Sequence, residues 1–345
     1  MRAAALTDVG ELKVQDRERP DPGADEVLVE VGACGVCMTD YHMYHGSFAV
    51  ETPVVLGHES AGTVAEVGAD VTTFEVGDRV AMNPVVPCNE CSACKRGETN
   101  LCANNTSIGG AGQTVVDGAF AEYVRVPATN LEDVGDLPFR QAALAEPLAC
   151  CVHGVDRAGI TQGDSVAVIG AGPIGLLLLQ TLRNAGAAPI AVSELDADRR
   201  ELAAELGADL VVDPAECDPV ETIREEIGHV DAGIEVVGKV QTIEQAHALT
   251  GRGGNTLIFG VPDQDATMEV SPFDIYFDEV DLRGTFALSQ ESFERAVGLL
   301  RTGRIDADAM VTEEIGLDDI PSAFERMERA EGLKKVVRPG KPSAE

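Results

Sequence analysis

The stretch SVAVIGAGPIG, residues 165–175, limits what this chain can fold into more than any other segment. An apolar run ends at Gly170-Ala-Gly172-Pro173-Ile174-Gly175, and a helix-grade run, GPIGLLLLQTLRNAGA, starts inside the glycine turn. In that context Gly170 permits the tight turn, Gly172 lets backbone approach a pyrophosphate, and Gly175 allows close helix–strand packing. The helix N-terminus then presents free N–H groups to an anion. A lone glycine motif is a weak signal. Here a second apolar run, PIAVSEL, ends in Glu194 about twenty residues on, where a carboxylate can bind both hydroxyls of a ribose. The pair predicts a dinucleotide-binding strand–helix–strand unit.

The alternation continues through DADRRELAAELGA, DLVVD, HVDAGIEVVG, TIEQAHALTG and GNTLIFGV. Strands alternating with helices imply a parallel sheet with right-handed crossovers. The first 145 residues differ. Short alternating runs such as EVLVEVGACGV, GTVAEVGADV and FAEYVRVP lie between glycine and proline turns and predict a β-rich lobe. Two amphipathic helices, SQESFERAVGLLRTGRI and IPSAFERMERAEG, are expected after residue 285. A length of 345 residues suits two domains. We assign 1–148 to the β-rich domain, completed by 288–345, and 149–287 to the nucleotide domain.

Cys88-Asn-Glu-Cys91-Ser-Ala-Cys94, followed seven residues later by Cys102, places four thiols in one short segment. Two-residue gaps let thiolates converge from a tight loop, and four of them at about 2.3 Å make a closed tetrahedral zinc site. An iron–sulfur centre has similar spacing, but this set reads as a structural zinc staple. Nine cysteines, an odd number, with no export signal at the N-terminus, argue against a disulfide framework. Cys34, Cys150, Cys151 and Cys217 are expected to pack as small hydrophobes.

A second metal candidate is dispersed. Cys37-Met-Thr39-Asp40-Tyr-His42 lies in a glycine-flanked segment read as a turn, Gly57-His58-Glu59 follows PVVL, and Glu146 stands in AEPLACCVHG. A thiolate, an imidazole and a carboxylate suit a catalytic zinc that keeps one position open. Taken singly, each is as well read as a satisfied core residue.

The ordered set GACGVCMTDYHMYHG, LGHESAG, PCNECSACKRGETNLC, GAFAEYV, AEPLACCVHG and GAGPIG resembles the medium-chain zinc-dependent alcohol dehydrogenases, and more closely their polyol and sugar branch. The resemblance covers nearly the whole chain. It implies a GroES-like β-rich catalytic domain, a Rossmann-type doubly wound sheet, and two zinc ions per subunit. Cys37, His58 and Glu59 become the catalytic zinc ligands, with Glu146 a further ligand or a holder of zinc-bound water. Whether Glu59, Glu146 or both touch the metal stays open. Thr39 and His42 match the proton-relay positions, and Asp40 matches a group behind the metal. Phe259, Gly260, Val261, Thr285 and Phe286 fall where the nicotinamide is held. Glu194 favours NAD over NADP, whereas Arg199 and Arg200 could contact the adenosine side or accommodate a 2′-phosphate.

The implied reaction is hydride transfer between NAD(P) and a secondary alcohol, polyol or sugar CH–OH group. Sorbitol-type relatives carry a tyrosine at Met43 and an arginine at Ala287, beside Leu288. These residues remove hydrogen-bonding groups, so the chain argues against sorbitol itself and for a less hydroxylated alcohol. Tyr41, Tyr44 and Phe48 are pocket-lining candidates or core aromatics. The weighed alternatives are a threonine- or glucose-dehydrogenase-like enzyme and a non-catalytic zinc- and nucleotide-binding protein. Partners are a small alcohol or ketone and further copies of the chain, as dimer or tetramer. The expected location is the cytoplasm.

Charge sets the surroundings. Lys+Arg number 26 against 59 Asp+Glu, a formal −33, with only six lysines. Such a field repels phosphate backbones and removes a zinc-ribbon nucleic-acid binder from contention. No apolar run of membrane-spanning length is present. The acids are spread along the chain, which fits a cytosol of very high salt, where the Debye length falls to about 3 Å at 1 M. Transfer from molar salt to dilute buffer is therefore expected to lower the thermal midpoint steeply. Equal midpoints in both would overturn this reading.

Overall fold

The computed structural model describes residues 1–340. The chain divides into two compact units, residues 1–149 with the chain from Leu288 onward, and Cys150–Ala287.

In the first unit the short alternating runs become a seven-stranded sheet. Its order is Leu131–Asp133, Arg79–Met82, Glu59–Val67, Glu26–Gly35, Lys334–Val337 and Val311–Ile315, with Tyr123–Pro127 also on Glu26–Gly35. Buried side chains of Val27, Val29, Val31, Val64, Val80 and Val126 make one side of its core, and Phe120, Leu56 and Phe324 fill the rest. Two three-stranded sheets flank it, one from Arg2–Asp8, Glu11–Asp16 and Val54–Val55, the other from Val85–Val86, Thr106–Ile108 and Thr114–Val116.

Strand register brings distant residues together. Gly35 pairs with Glu59, and Val336 pairs with Gly35 from the other side. A Cβ at position 35 would come within 2.0 Å of Glu59 Oε2. Glycine is therefore required there to seat a carboxylate against the sheet.

The second unit is a six-stranded parallel sheet in the order Leu210–Val212, Ile190–Ser193, Val166–Ile169, Val230–Glu235, Thr250–Ile258, Asp281–Gly284. In chain order this is 3-2-1-4-5-6, the doubly wound arrangement whose ligand crevice opens where the order reverses. Val166–Ile169 is buried throughout, as a central parallel strand must be. Gly170 turns the chain at φ +106, and Gly175 sits so close that a Cβ would meet Gly170 O at 2.1 Å. Pro173 occupies the first turn of the helix Pro173–Ala185, where its missing N–H costs nothing, and Gly186 at φ +91 ends it.

Candidate functional site

The segment read as a turn at Cys37 is the start of a helix. Met38–Tyr44 is helical, with Cys37 as its cap. Asp40, fully buried, is what folds it so. Asp40 Oδ2 accepts from Cys37 N at 2.9 Å, while Oδ1 accepts from Gly57 N at 3.2 Å and lies 3.4 Å from His58 Nδ1. One carboxylate thus joins the Cys37 cap to the Gly57-His58 turn, which Gly57 enters at φ +93.

Ligand atoms of Cys37, His58 and Glu59 lie within 4.8 Å of one another. His58 and Glu59 are buried. Burial works against a charged His58, but the negative groups Asp40 and Cys37 outweigh it and raise its pKa well above the ordinary value. Surroundings that favour a proton on imidazole also favour a metal cation. Glu59 Oε1 takes the Lys334 ammonium at 2.5 Å, and Lys334 Nζ also reaches Val36 O at 3.2 Å. Burial alone would lower the Lys334 pKa. The Glu59 charge reverses this and raises it. Glu59 Oε2 is buried and lacks a hydrogen-bond partner among the described residues. A soft sulfur, an imidazole and a free carboxylate oxygen fit zinc.

Thr39 Oγ1 is 3.6 Å from Cys37 Sγ. His42 is half-buried, its ring 5.0 Å from that of Phe48, and burial followed by His45 lowers its pKa. Glu146 is buried near enough for its charge to act on Lys334, yet it is not one of the three grouped ligands. Met43 is fully buried in the core, and Tyr41 and Tyr44 pack edge-on and tilted against Phe324.

The four-cysteine segment folds as expected of a metal loop. Cys91 Sγ lies 3.5 Å from Cys94 Sγ and 3.9 Å from Cys102 Sγ. A tetrahedron with about 2.3 Å zinc–sulfur bonds has edges of about 3.8 Å. Backbone N–H groups of Cys88, Cys94 and Asn104 point at these sulfurs. The N–H of Cys94, then that of Ala103, brings Cys91 down to about 6, whereas burial and the Cys91 sulfur push Cys94 up to about 12. Of the remaining cysteines, Cys34 and Cys151 are buried and Cys150 is half-buried. The expectation that Cys217 packs inside is corrected. It is exposed, because its segment after Leu210–Val212 lies on the surface, with Sγ near Asp213 O.

In the second unit, Gly170, Gly172, Glu194, Arg199, Val237, Lys239 and Thr242 line a groove of ≈ 450 Å³. Glu194 Oε2 accepts from Ala171 N at 2.6 Å and Oε1 from Asp196 N at 2.9 Å, which fixes its carboxylate at the groove wall. Arg200 instead pairs with Asp213 at 2.6 Å and donates to Glu194 O. Pro173 and Ile174 open the helix behind the glycine turn. Phe259 and Gly260 follow the strand Thr250–Ile258 and donate their N–H groups to Glu235 O, and Val261 is exposed. Thr285 bonds back to Ile258 O, its hydroxyl buried without a partner, and Phe286 is exposed.

Sequence reasoning overlooked Lys334. The only hint is that lysine is scarce, yet two adjoin in an apolar strand, LKKVV. Lys334→Met leaves Glu59 buried and unpaired, so a destabilisation of about 3–5 kcal/mol is expected in metal-free denaturation. Adding Glu59→Leu should restore most of it. A double variant no better than the single would refute the pairing.

The chain matches known protein families in sequence and fold. Residues 23–136 match the alcohol dehydrogenase GroES-like domain, and 173–302 match zinc-binding dehydrogenase. A sorbitol dehydrogenase of Bacillus subtilis (strain 168) is 35% identical, covering 99% of this chain and 98% of its own. An L-threonine 3-dehydrogenase of Thermococcus kodakarensis is 35% identical over 93% of both. A zinc-binding dehydrogenase from Sinorhizobium meliloti 1021, solved with NADP bound, superposes with a TM-score of 0.93 at 40% identity, covering 98% of this chain and 99% of its own.

Proposed function

The chain belongs to the medium-chain zinc-dependent alcohol dehydrogenase family, in its polyol-dehydrogenase-like branch, and on that premise we propose which of its residues carry the reaction. It is a zinc- and NAD(P)-dependent oxidoreductase of alcohol CH–OH groups. The observation that carries our assignment is the convergence of Cys37, His58 and Glu59, with Glu59 Oε2 buried and unpartnered.

Cys37, His58 and Glu59 hold the catalytic zinc, and Cys88, Cys91, Cys94 and Cys102 hold the structural one. When bound, the catalytic zinc supplies a Lewis acid that lowers the pKa of the alcohol hydroxyl. Thr39 would accept the alcohol proton while giving up its own to a chain of hydroxyls, and His42 would pass the relayed proton to solvent. Its lowered pKa leaves the imidazole neutral and able to take that proton. A bound nicotinamide would supply the acceptor for the carbinol hydrogen, which leaves with both C–H electrons as hydride while the carbon becomes a carbonyl. Asp40 orients His58. Glu146 is a second carboxylate, as further ligand or water holder. Gly170, Gly172, Pro173, Ile174 and Gly175 receive the pyrophosphate, Glu194 the ribose, Arg199 the adenosine side, and Phe259, Gly260, Val261, Thr285 and Phe286 the nicotinamide.

A fixed Glu194 carboxylate would repel a 2′-phosphate, which favours NAD. Arg199 and Lys239 in the same groove support the other choice, as does the NADP carried by the Sinorhizobium relative. The substrate is a secondary alcohol or polyol, with fewer hydroxyls than sorbitol because Met43 is sealed in the core and offers it nothing. An amino alcohol such as threonine is the second reading, favoured by the Thermococcus kodakarensis relative. The chain works in a salt-rich cytoplasm, where its thiols stay reduced. It self-associates as dimer or tetramer. The edge strand Asp281–Gly284, with Leu282 exposed and Phe273, Tyr276 and Phe277 exposed in the same unit, supports this.

Cys37→Ser is expected to lose one zinc per chain while the four-cysteine zinc remains, read by elemental analysis. Two zincs retained would sink the ligand assignment. Glu194→Ala should raise KM for NAD about tenfold, the loss expected for hydrogen bonds to a charged group, with less effect on NADP. An unchanged NAD/NADP ratio would show that Glu194 does not face the ribose.

A further inference from the structure

Glu235 ends the strand Val230–Glu235 and is fully buried, yet no step of the reaction uses it. Its backbone oxygen accepts from Phe259 N at 2.9 Å and Gly260 N at 3.0 Å. Its side chain bonds the segment that follows it. Oε1 alone accepts from Val237 N, Gly238 N and Thr242 Oγ1, each at 2.7 Å. A single residue therefore bonds two separate turns, 236–239, which runs into the helix Val240–Leu249 carrying Thr242, and 259–260. Val236, Val237 and Lys239 of the first turn and Thr242 of the helix line the dinucleotide groove.

The two turns are pressed together. A Cβ at position 260 would fall 2.2 Å from Gly238 N and 2.9 Å from Glu235 Oε2. Oε2 is buried against this contact and has no hydrogen-bond partner. An apolar side chain of that size would strip Val237 N, Gly238 N and Thr242 Oγ1 of their common acceptor, so the carboxylate is what holds these three donors together. What Glu235 uniquely provides is the spacing between the turns. Three donors converging on one oxygen fix the first turn relative to the strand end, while the backbone oxygen fixes the second.

We propose that Glu235 is a positioning residue for the dinucleotide. It sets the separation of the two turns, and so the affinity for cofactor, without touching substrate or the reacting atoms. This rests on the reading that the groove beside Glu194 holds the dinucleotide.

The test uses the zinc-loaded enzyme with NADH and NAD as probes. Glu235→Ala frees the first turn, and loss of three hydrogen bonds should raise the Kd for NADH and the KM for NAD at least about tenfold. The KM for the alcohol should stay within about twofold, a split that general misfolding would not produce. Glu235→Gln keeps an oxygen acceptor for the same three donors and should return to within about threefold of wild type. Thr242→Val removes one donor and should raise the NADH Kd by about threefold. If Glu235→Ala does not fold, Thr242→Val decides, and an unchanged Kd overturns the proposal.

Glu235→Ala binding NADH as wild type does, or weakening cofactor and alcohol alike, also overturns it. Glu194→Ala separates the two readings. Weak NADH binding in Glu194→Ala with normal binding in Glu235→Ala ends this inference and leaves the groove assignment standing. Normal binding in both ends the groove assignment too, and this inference with it.

Discussion

A buried excess of negative charge organises the first unit. Asp40 and Glu59 are sealed from water beside the Cys37 thiol, and Lys334 is the cation paired with Glu59. Burying a carboxylate costs several kcal/mol unless it is paired, so the surrounding chain is arranged to satisfy these acids. Asp40 takes one backbone N–H from Cys37 in its own segment and one from Gly57 in another. Glu59 takes a lysine from the last strand, far along the chain. Lys334 answers only one Glu59 oxygen; Oε2 lies against Gly35 with no hydrogen-bond partner among the described residues, and the carboxylate groups with the ligand atoms of Cys37 and His58. A divalent cation is the natural partner for the charge left over.

The sheet does this positioning. Glu26–Gly35 is flanked by Glu59–Val67 on one side and Lys334–Val337 on the other. With Gly35 opposite both Glu59 and Val336, the carboxylate and the lysine approach across a strand that offers no side chain in between. A slip of one residue in either pairing would put Glu59 or Lys334 on the opposite face. The site is thus a consequence of register, and the C-terminal strand belongs to it as much as the His58 turn does.

The two units were not equally legible in the sequence. Local signals decide a parallel sheet: VAVI and IAVS are buried strands by composition, the glycines fix the first turn, and the strand–helix alternation leaves little freedom. The four-cysteine loop was equally open, since all its ligands lie in one short segment. The other metal cluster was not, because spacing cannot show that positions 37 and 58 meet, nor that 334 joins them. The helix at Met38 was missed for a different reason. Its cap is a local capping box between Cys37 and Asp40, but with cysteine at the cap position in place of the usual serine, threonine, aspartate or asparagine signal. Local pattern also misplaced Cys217, where composition suggests burial but the loop lies outside.

The nucleotide unit uses one device twice. Strands Ile190–Ser193 and Val230–Glu235 both lead to a glutamate whose carboxylate accepts backbone N–H groups of a following turn. At Glu194 the second oxygen holds Ala171 N of the glycine turn, so the carboxylate stands half-buried at the groove. At Glu235 the second oxygen faces Gly260 and water is shut out. An acid at the C-terminal end of a parallel strand suits both duties, because strand ends are where turns with free N–H groups gather. Exposure then separates the two. The Glu194 carboxylate is left open at the wall, and the Glu235 carboxylate is closed over by glycine. Two glutamates that look alike in sequence differ in exposure through the residue packed against their far oxygen.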